Sequence, residues 1–182
     1  MGIFGQTYQQ LWKQVEEAQE KDLPQKAIQQ LERIEKKAQK ESAYGQLLKS
    51  TLLHSRLQAE VSADSLQSSV ARLERNVESL SDEALKAVYY TVLSKVSYNH
   101  RGYFEDADTK SQSYQEKALA HPAILASKHA ADYEPFVIVG QDSKTYYQGD
   151  LLSIIGDELD AWRCLHDYYT AAGNRSGKLW IT

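Results

Sequence analysis

Cysteine is nearly missing from this chain: there is one in 182 residues, with three prolines, one methionine and nine glycines. A single cysteine excludes an internal disulfide and a thiolate metal cluster. There is no excess of positive charge either. The net charge is −4 and the isoelectric point is near 5.7, which argues against a general binder of nucleic acid or of anionic membranes. No apolar run approaches the roughly 20 residues that a bilayer span needs. Met1-Gly2-Ile3-Phe4 carries no basic stretch leading into an apolar segment, so no secretory signal is read there. Nucleotide-binding glycine motifs, a Gly-x-Ser-x-Gly elbow and a His-Glu-x-x-His pair are all absent. What is present is 42% hydrophobic and 25% charged residues, enough for a folded core.

Glycine and proline divide the chain. Between Gln25 and Arg101 there is no proline and only Gly45, which favours helix, since an interior glycine costs about 1 kcal/mol and a proline about 3. Five helices are predicted there from apolar stripes at helical spacing. The first carries Tyr8, Leu11, Trp12, Val15 and Ala18; after a Lys21-Asp22-Leu23-Pro24 turn with Asp22 or Leu23 near the cap, the second carries Ala27, Leu31, Ile34 and Ala38. Tyr44, Leu47, Leu48, Thr51 and Leu52 mark the third. Leu53 and Leu57 widen its apolar arc, so it is expected to touch two neighbours and to lie deepest. Leu66, Val70, Leu73, Val77 and Leu80 form a heptad pattern. Ser81 is the expected cap of the fifth helix, with Leu80 and Leu85 as a hydrophobic staple and Val88, Val92 and Val96 along its face.

After Arg101 the character changes. Residues 104–182 hold twelve acidic and seven basic side chains, a net of −5, against +1 for the first 103. A helical turn is expected over Tyr114–Ala120, a short helix from His121-Pro122 to Ala130, and an extended run at Phe136–Gly140. Asp150 is expected to cap Leu151–Ile155. A final helix is expected to carry Leu159, Trp162, Leu165, Tyr169 and Ala172, with Gly173 at its left-handed end. The predicted fold is all-α: antiparallel hairpins in a solenoid-like, tetratricopeptide-like array over 1–103, with a closed bundle as the competing arrangement. Residues 104–182 form an irregular acidic segment with short helices packed on that array, in the same structural unit.

Candidate chemistry is sparse. His121, His129 and Asp132 have no recognised metal spacing, so no metal or other cofactor is expected, and the histidines read as surface or capping residues. His166, two positions from Cys164, would point to another side of a helix, so Cys164 reads as a half-buried structural thiol. The acidic groups Asp157-Glu158-Asp160 and Glu105-Asp106-Asp108 sit at helix starts or loops and read as caps. Of the twelve tyrosines, the doublets Tyr89-Tyr90, Tyr146-Tyr147 and Tyr168-Tyr169 should each turn one ring inward. Tyr98, Tyr103 and Phe104 cluster where the two parts meet and are the candidate ligand-binding residues, suited to stacking on a sugar or on a partner. No catalytic constellation is read, and the chain is expected not to be an enzyme.

Three stretches, Asp150-Leu151-Leu152-Ser153-Ile154-Ile155-Gly156, Leu165-His166-Asp167-Tyr168-Tyr169 and Ala172-Gly173-Asn174-Arg175, resemble the N-terminal helical region of large bacterial alpha-2-macroglobulin-like proteins. Tyr8-Gln9-Gln10-Leu11-Trp12-Lys13-Gln14-Val15-Glu16 followed by Lys21-Asp22-Leu23-Pro24 resembles their opening hairpin. The resemblance implies a helical region ahead of macroglobulin-type β-domains in exported, often lipid-anchored, protease-trapping proteins. Implied partners are the neighbouring domains of the same longer chain and proteases, with no nucleic acid, and with the membrane reached only through an anchor outside this segment. The family's thioester motif is Cys-x-Glu-Gln, whereas Cys164 is followed by Leu165-His166-Asp167, so that role is not transferred. The chain also departs from the family pattern after Asn174-Arg175. Met1-Gly2 at one end and Trp180-Ile181 at the other read as the limits of a piece of something longer; a free-standing chain would be expected in the cytoplasm.

Overall fold

The structure, a computed structural model, describes residues 6–129 and 149–174. Among the described residues there are nine α-helices and no strand; the one β-type contact is an isolated antiparallel bridge between His129 and Asp150. The expected all-α fold is present. Expectations for Asp132, Phe136–Gly140, Tyr146-Tyr147 and the two chain ends lie outside the described residues.

Helix α1 spans Tyr8–Glu20. It starts on a capping box in which the Thr7 hydroxyl accepts from the Gln10 N–H and the Gln10 side chain accepts from the Thr7 N–H, so two otherwise orphaned donors are satisfied at once. Asp22 turns the chain in the left-handed region and Leu23 precedes α2 (Pro24–Glu41), whose first residue needs no N–H partner. Helices α3 (Tyr44–Val61) and α4 (Ala63–Glu78) share Ser62, which ends one and caps the other through Ser65 N–H. Then follow α5 (Glu83–Asn99), a 3-10 turn at Arg101–Tyr103, α6 (Ala107–Ala118), α7 (Pro122–Ala126), α8 (Leu151–Glu158) and α9 (Trp162–Ala171).

The helices pack largely in chain order: α1 on α2, α2 on α3, α3 on α4 and α5, α5 on α6, and α8 on α9. That is the serial packing of a helical array. The apolar residues fall into two clusters. Leu11, Val15, Leu31 and Ile34 form the smaller with Leu57 of α3; Leu47, Leu48, Leu66, Leu93, Leu152 and Leu165 belong to the larger, which runs from Ala38 of α2 to α9. As the two-sided arc of α3 implied, that helix serves both clusters. It is not the deepest, however. Helix α5 touches α3, α4, α6, α7 and α8, because its Val88, Val92, Leu93 and Val96 are joined by buried Ala84, Ala87, Thr91, Ser94 and Ser97, small residues that let neighbours approach on several sides.

Five local expectations are corrected. The cap of α5 is Asp82: its Oδ1 accepts from the N–H groups of Ala84 (2.9 Å) and Leu85 (3.2 Å), and its Oδ2 accepts from the Tyr44 hydroxyl (2.8 Å). A carboxylate can take all three bonds, which a serine hydroxyl cannot. The shift by one residue takes Leu80 and Leu85 out of staple register, and both pack into the main core instead. Helix α6 begins at Ala107, seven residues earlier than expected, because α5 offers it a partner. Ser94 and Ser111 each donate to the other's backbone carbonyl, at 2.9 and 3.0 Å. Helix α7 ends at Ala126, short of Ala130. Finally, Leu159 is the C-cap of α8 rather than part of the last helix, and Asp160 turns the chain in the left-handed region before α9.

Candidate functional site

The junction of the two parts is built by the end of α5. His100 caps that helix, its N–H bonding the Val96 carbonyl at 3.0 Å, and the 3-10 turn follows. Tyr98 is 55% exposed and Tyr103 42% exposed, while Phe104 is half-buried against the main core. The Arg101 guanidinium lies 5.3 Å from the Tyr98 ring centre, a cation–aromatic contact. The Tyr103 ring is 6.2 Å from that of His100, and its backbone carbonyl accepts from Gln67 Nε2 at 2.8 Å. Beside them is a shallow hollow of about 430 Å³ lined by Arg101, Gly102, Phe104, Asp106, Asp108 and Thr109. Phe104 borders it. Tyr98 and Tyr103 lie outside its lining, so the three aromatic residues do not converge on one space.

The tyrosine doublets on described helices behave as their spacing requires. Tyr89 and Tyr169 are buried, with Tyr90 and Tyr168 half-buried. Burial pushes the Tyr89 hydroxyl up to about 12, with the Glu35 carboxylate adding to the effect. Tyr169 donates to both oxygens of Asp150, at 2.9 and 3.0 Å. Asp150 caps α8 as expected, accepting from Ser153 N–H at 2.8 Å. Burial lifts its carboxyl above the ordinary range, and the Ser153 and Tyr169 bonds only partly offset that.

The histidines correct one expectation. His100 and His121 do stand at helix ends, and His166 is paired with Asp167 at the surface, 3.3 Å apart. His54 is instead buried, 2% exposed, with Nδ1 2.8 Å from a carboxylate oxygen of Glu35 on α2. Its Nε2 and the Gln58 Oε1 one turn along α3 are buried without a protein partner among the described residues. Nineteen residues separate Glu35 from His54, so no local pattern announces the pair; only the docking of α2 on α3 creates it. A carboxylate–imidazole pair could act as a general base if a hydroxyl faced it. The nearby hydroxyls are otherwise engaged. Ser50, Thr51 and Ser55 all donate to carbonyls one turn back on α3, at 2.7, 2.8 and 2.9 Å.

Of the remaining candidates, Cys164 and Glu158 are tied into packing and Asp106 is not. Burial raises the Cys164 thiol above its ordinary value, and Asp167 raises it further, the reverse of what a nucleophile needs. Glu158 is held by Lys95 of α5, whose Nζ is 3.2 Å from its carboxylate and 3.0 Å from its backbone carbonyl. Asp106 occupies the cap position of α6, but in the left-handed region its side chain makes no capping bond. Among the described residues no three His, Cys, Asp or Glu side chains are placed to hold a metal ion, and no helix is long and apolar enough to cross a membrane.

One concave surface has no counterpart in the sequence reading. Between the second halves of α3 and α5, against the end of α8, runs a groove of about 430 Å³. Leu52, Leu53 and Val96 line it with Arg56, Asn99 and His100. Compared with protein-family models, with curated proteins and with solved structures, the chain matches none of them, and so none of these comparisons links it to alpha-2-macroglobulin-like proteins.

Proposed function

We propose that this chain is a non-enzymatic helical scaffold and protein-contact domain. The observation that supports this is the assignment of its chemically capable side chains to packing. The His54–Glu35 pair joins α2 to α3, the Asp150–Tyr169 pair joins the start of α8 to α9, and Lys95–Glu158 joins α5 to α8. Serial helix packing leaves long inter-helix surfaces for partners, the usual use of such arrays. We further propose, on the resemblance of the Asp150–Gly156, Leu165–Tyr169 and Tyr8–Glu16 stretches, that the domain belongs to the N-terminal part of an exported alpha-2-macroglobulin-like protease trap. Its neighbours would then be the other domains of the same chain, with proteases as outer partners. The test is the gene on both sides of this segment. The proposal expects an upstream export signal and a downstream frame of β-rich domains carrying Cys-x-Glu-Gln. A natural start at Met1 with a stop after Thr182 would overturn it.

A second reading, a small-ligand or glycan module, is favoured by the exposure of Tyr98 and Tyr103 beside the Phe104-lined hollow. On that reading a ligand raises the melting temperature by mass action, and the rise disappears in Tyr98→Ala or Tyr103→Ala.

A further inference from the structure

Among the described residues, four that carry a side chain stand in the left-handed region: Asp22, Ser42, Asp106 and Asp160. Three are aspartates, whose short carboxylates suit it. Ser42, at φ 53°, is the exception. It ends α2 and lies two residues before α3, each a helix of 18 residues. No proline lies between Gln25 and Arg101, so nothing covalent stops α2 from running on into α3. The preceding joint differs, because Pro24 bars α1 from continuing into α2. Ala43 gives α3 no capping side chain, and the first N–H groups of α3 would gain helical partners in a continuous helix.

The hairpin of α1 and α2 is a separable unit. Beyond their contact with each other, these two helices pack chiefly on α3. Of their buried apolar residues only Ala38, close to Ser42, belongs to the main core; the others form the smaller cluster with Leu57. The face of α3 that meets the hairpin is largely polar. Gln46, Ser50 and His54 are buried on it at four-residue intervals, and His54 Nε2 and Gln58 Oε1 are buried without a partner among the described residues. Unpaired buried polar groups weaken that join. The bonds internal to the hairpin, from Tyr8 to Glu41 at 2.7 Å and from Lys37 to Glu41 at 2.6 Å, do not depend on α3.

We propose that this chain pairs with a second copy of itself by exchanging the hairpin. Ser42 and Ala43 turn helical, α2 and α3 fuse over 24–61, and the hairpin of each copy docks on α3 of the other. The contacts such a partner needs already exist within one chain: Trp12 to Gln46, Glu35 to His54, and the packing on Leu57. Exchange forms each of them again between chains. Glu35, Gln46, His54 and Leu57 follow one another at intervals of eleven, eight and three residues, the spacing of one face of a continuous helix. Two fused helices running antiparallel therefore pair along both halves, with a two-fold axis at the hinge. The balance is decided at the hinge. Left-handed strain at Ser42 is released in both copies, against Gly45 placed inside a helix and the cost of associating two chains. This assembly goes beyond the scaffold reading and does not depend on it.

The test is refolding from urea at about 1 mM chain, followed by size-exclusion chromatography with light scattering. The wild-type chain is expected to yield a dimer. Ser42 is exposed, so its variants should keep the core. Glycine accepts the left-handed turn and disfavours helix, and alanine does the reverse. The association constant is expected to be at least about a hundredfold larger for Ser42→Ala than for Ser42→Gly, because both hinges of the dimer count. A dimer refolded from mixed isotope-labelled and unlabelled chains then locates the hairpin. A filtered nuclear Overhauser spectrum should place the Trp12 indole N–H of one copy beside the Gln46 side chain of the other. Three results would overturn the exchange: a wild-type chain that stays monomeric, equal association of the two Ser42 variants, or a dimer whose Trp12–Gln46 contact remains within one chain.

Discussion

The indole N–H of Trp12 on α1 donates to the buried side-chain carbonyl of Gln46 on α3, 2.7 Å away. Lys49, one turn further along α3, lies 4.4 Å from the centre of the same indole ring. These contacts fasten the first helix to the third across the smaller core. Gln46→Leu removes the acceptor and leaves a buried N–H without a partner, which costs about 1–3 kcal/mol. Urea unfolding followed by tryptophan fluorescence is expected to show that loss with an unchanged slope. A change below about 0.5 kcal/mol, the range of ordinary surface substitutions, would mean that the indole finds another acceptor.

Two aspartates cap helices with opposite pH behaviour. Asp150 is raised above its ordinary 3.8 by burial. Relative to Asp150→Asn, its contribution is therefore fully present below that value and is lost as pH rises through the folded-state value. For Asp82 burial also raises the carboxyl, but the Tyr44 hydroxyl and the Leu85 and Ala84 N–H groups outweigh it, and the net shift is downward from 3.8. Its contribution is present above 3.8 and is lost as pH falls through the lowered value. Unfolding free energies from acid to neutral pH should show Asp150→Asn gaining on wild type as pH rises, while Asp82→Asn loses. The same sign for both variants would contradict the assigned environments.

Gly156 of α8 packs tightly against Leu165 of α9. A Cβ there would lie 2.5 Å from Leu165 Cδ2 and 2.6 Å from Cγ, while Leu165 itself is fully buried. Gly156→Ala is expected to cost about 1–3 kcal/mol through overpacking. In a double-mutant cycle with Leu165→Ala, the two losses should be less than additive, because the second change removes the atoms with which the first collides. Strict additivity would show that the helices separate without strain.

The raised Cys164 thiol should alkylate with iodoacetamide at neutral pH more slowly than glutathione does, since the thiolate is the reacting form. A rate above that of glutathione would reopen a chemical role for Cys164 beside Arg163 and His166.

Much of the fold was legible because it is written in local pattern. The stripes Leu11–Val15, Leu31–Ile34 and Leu66–Val77 repeat at helical spacing; Pro24 and Gly173 mark ends by backbone conformation, and Asp150 marks one by its capping carboxylate. What escaped is decided by tertiary contact. Residues 107–118 have a weakly amphipathic sequence, and they form a helix because α5 supplies Ser94 and buries Tyr114. Asp82 displaces Ser81 as a cap because Tyr44, 38 residues away, adds a third bond. His54 looked like a surface histidine because Glu35 reaches it only after α2 and α3 dock. The candidate Tyr98, Tyr103 and Phe104 fall within seven residues of sequence, yet each meets a different neighbour: Arg101, His100 and the main core. The α3–α5 groove was invisible for a similar reason: its floor residues read as ordinary core stripe until the helices are placed side by side.

On the proposed reading, the polar groups of this scaffold are committed to packing rather than to a ligand. The most direct measurement is the thermal unfolding midpoint across a panel of glycans, nucleotides and divalent metals. The scaffold account predicts one midpoint throughout, because nothing in the panel binds the native state preferentially. A rise of several degrees with one compound, abolished in Tyr98→Ala or Tyr103→Ala, would contradict it and establish a ligand site at the junction.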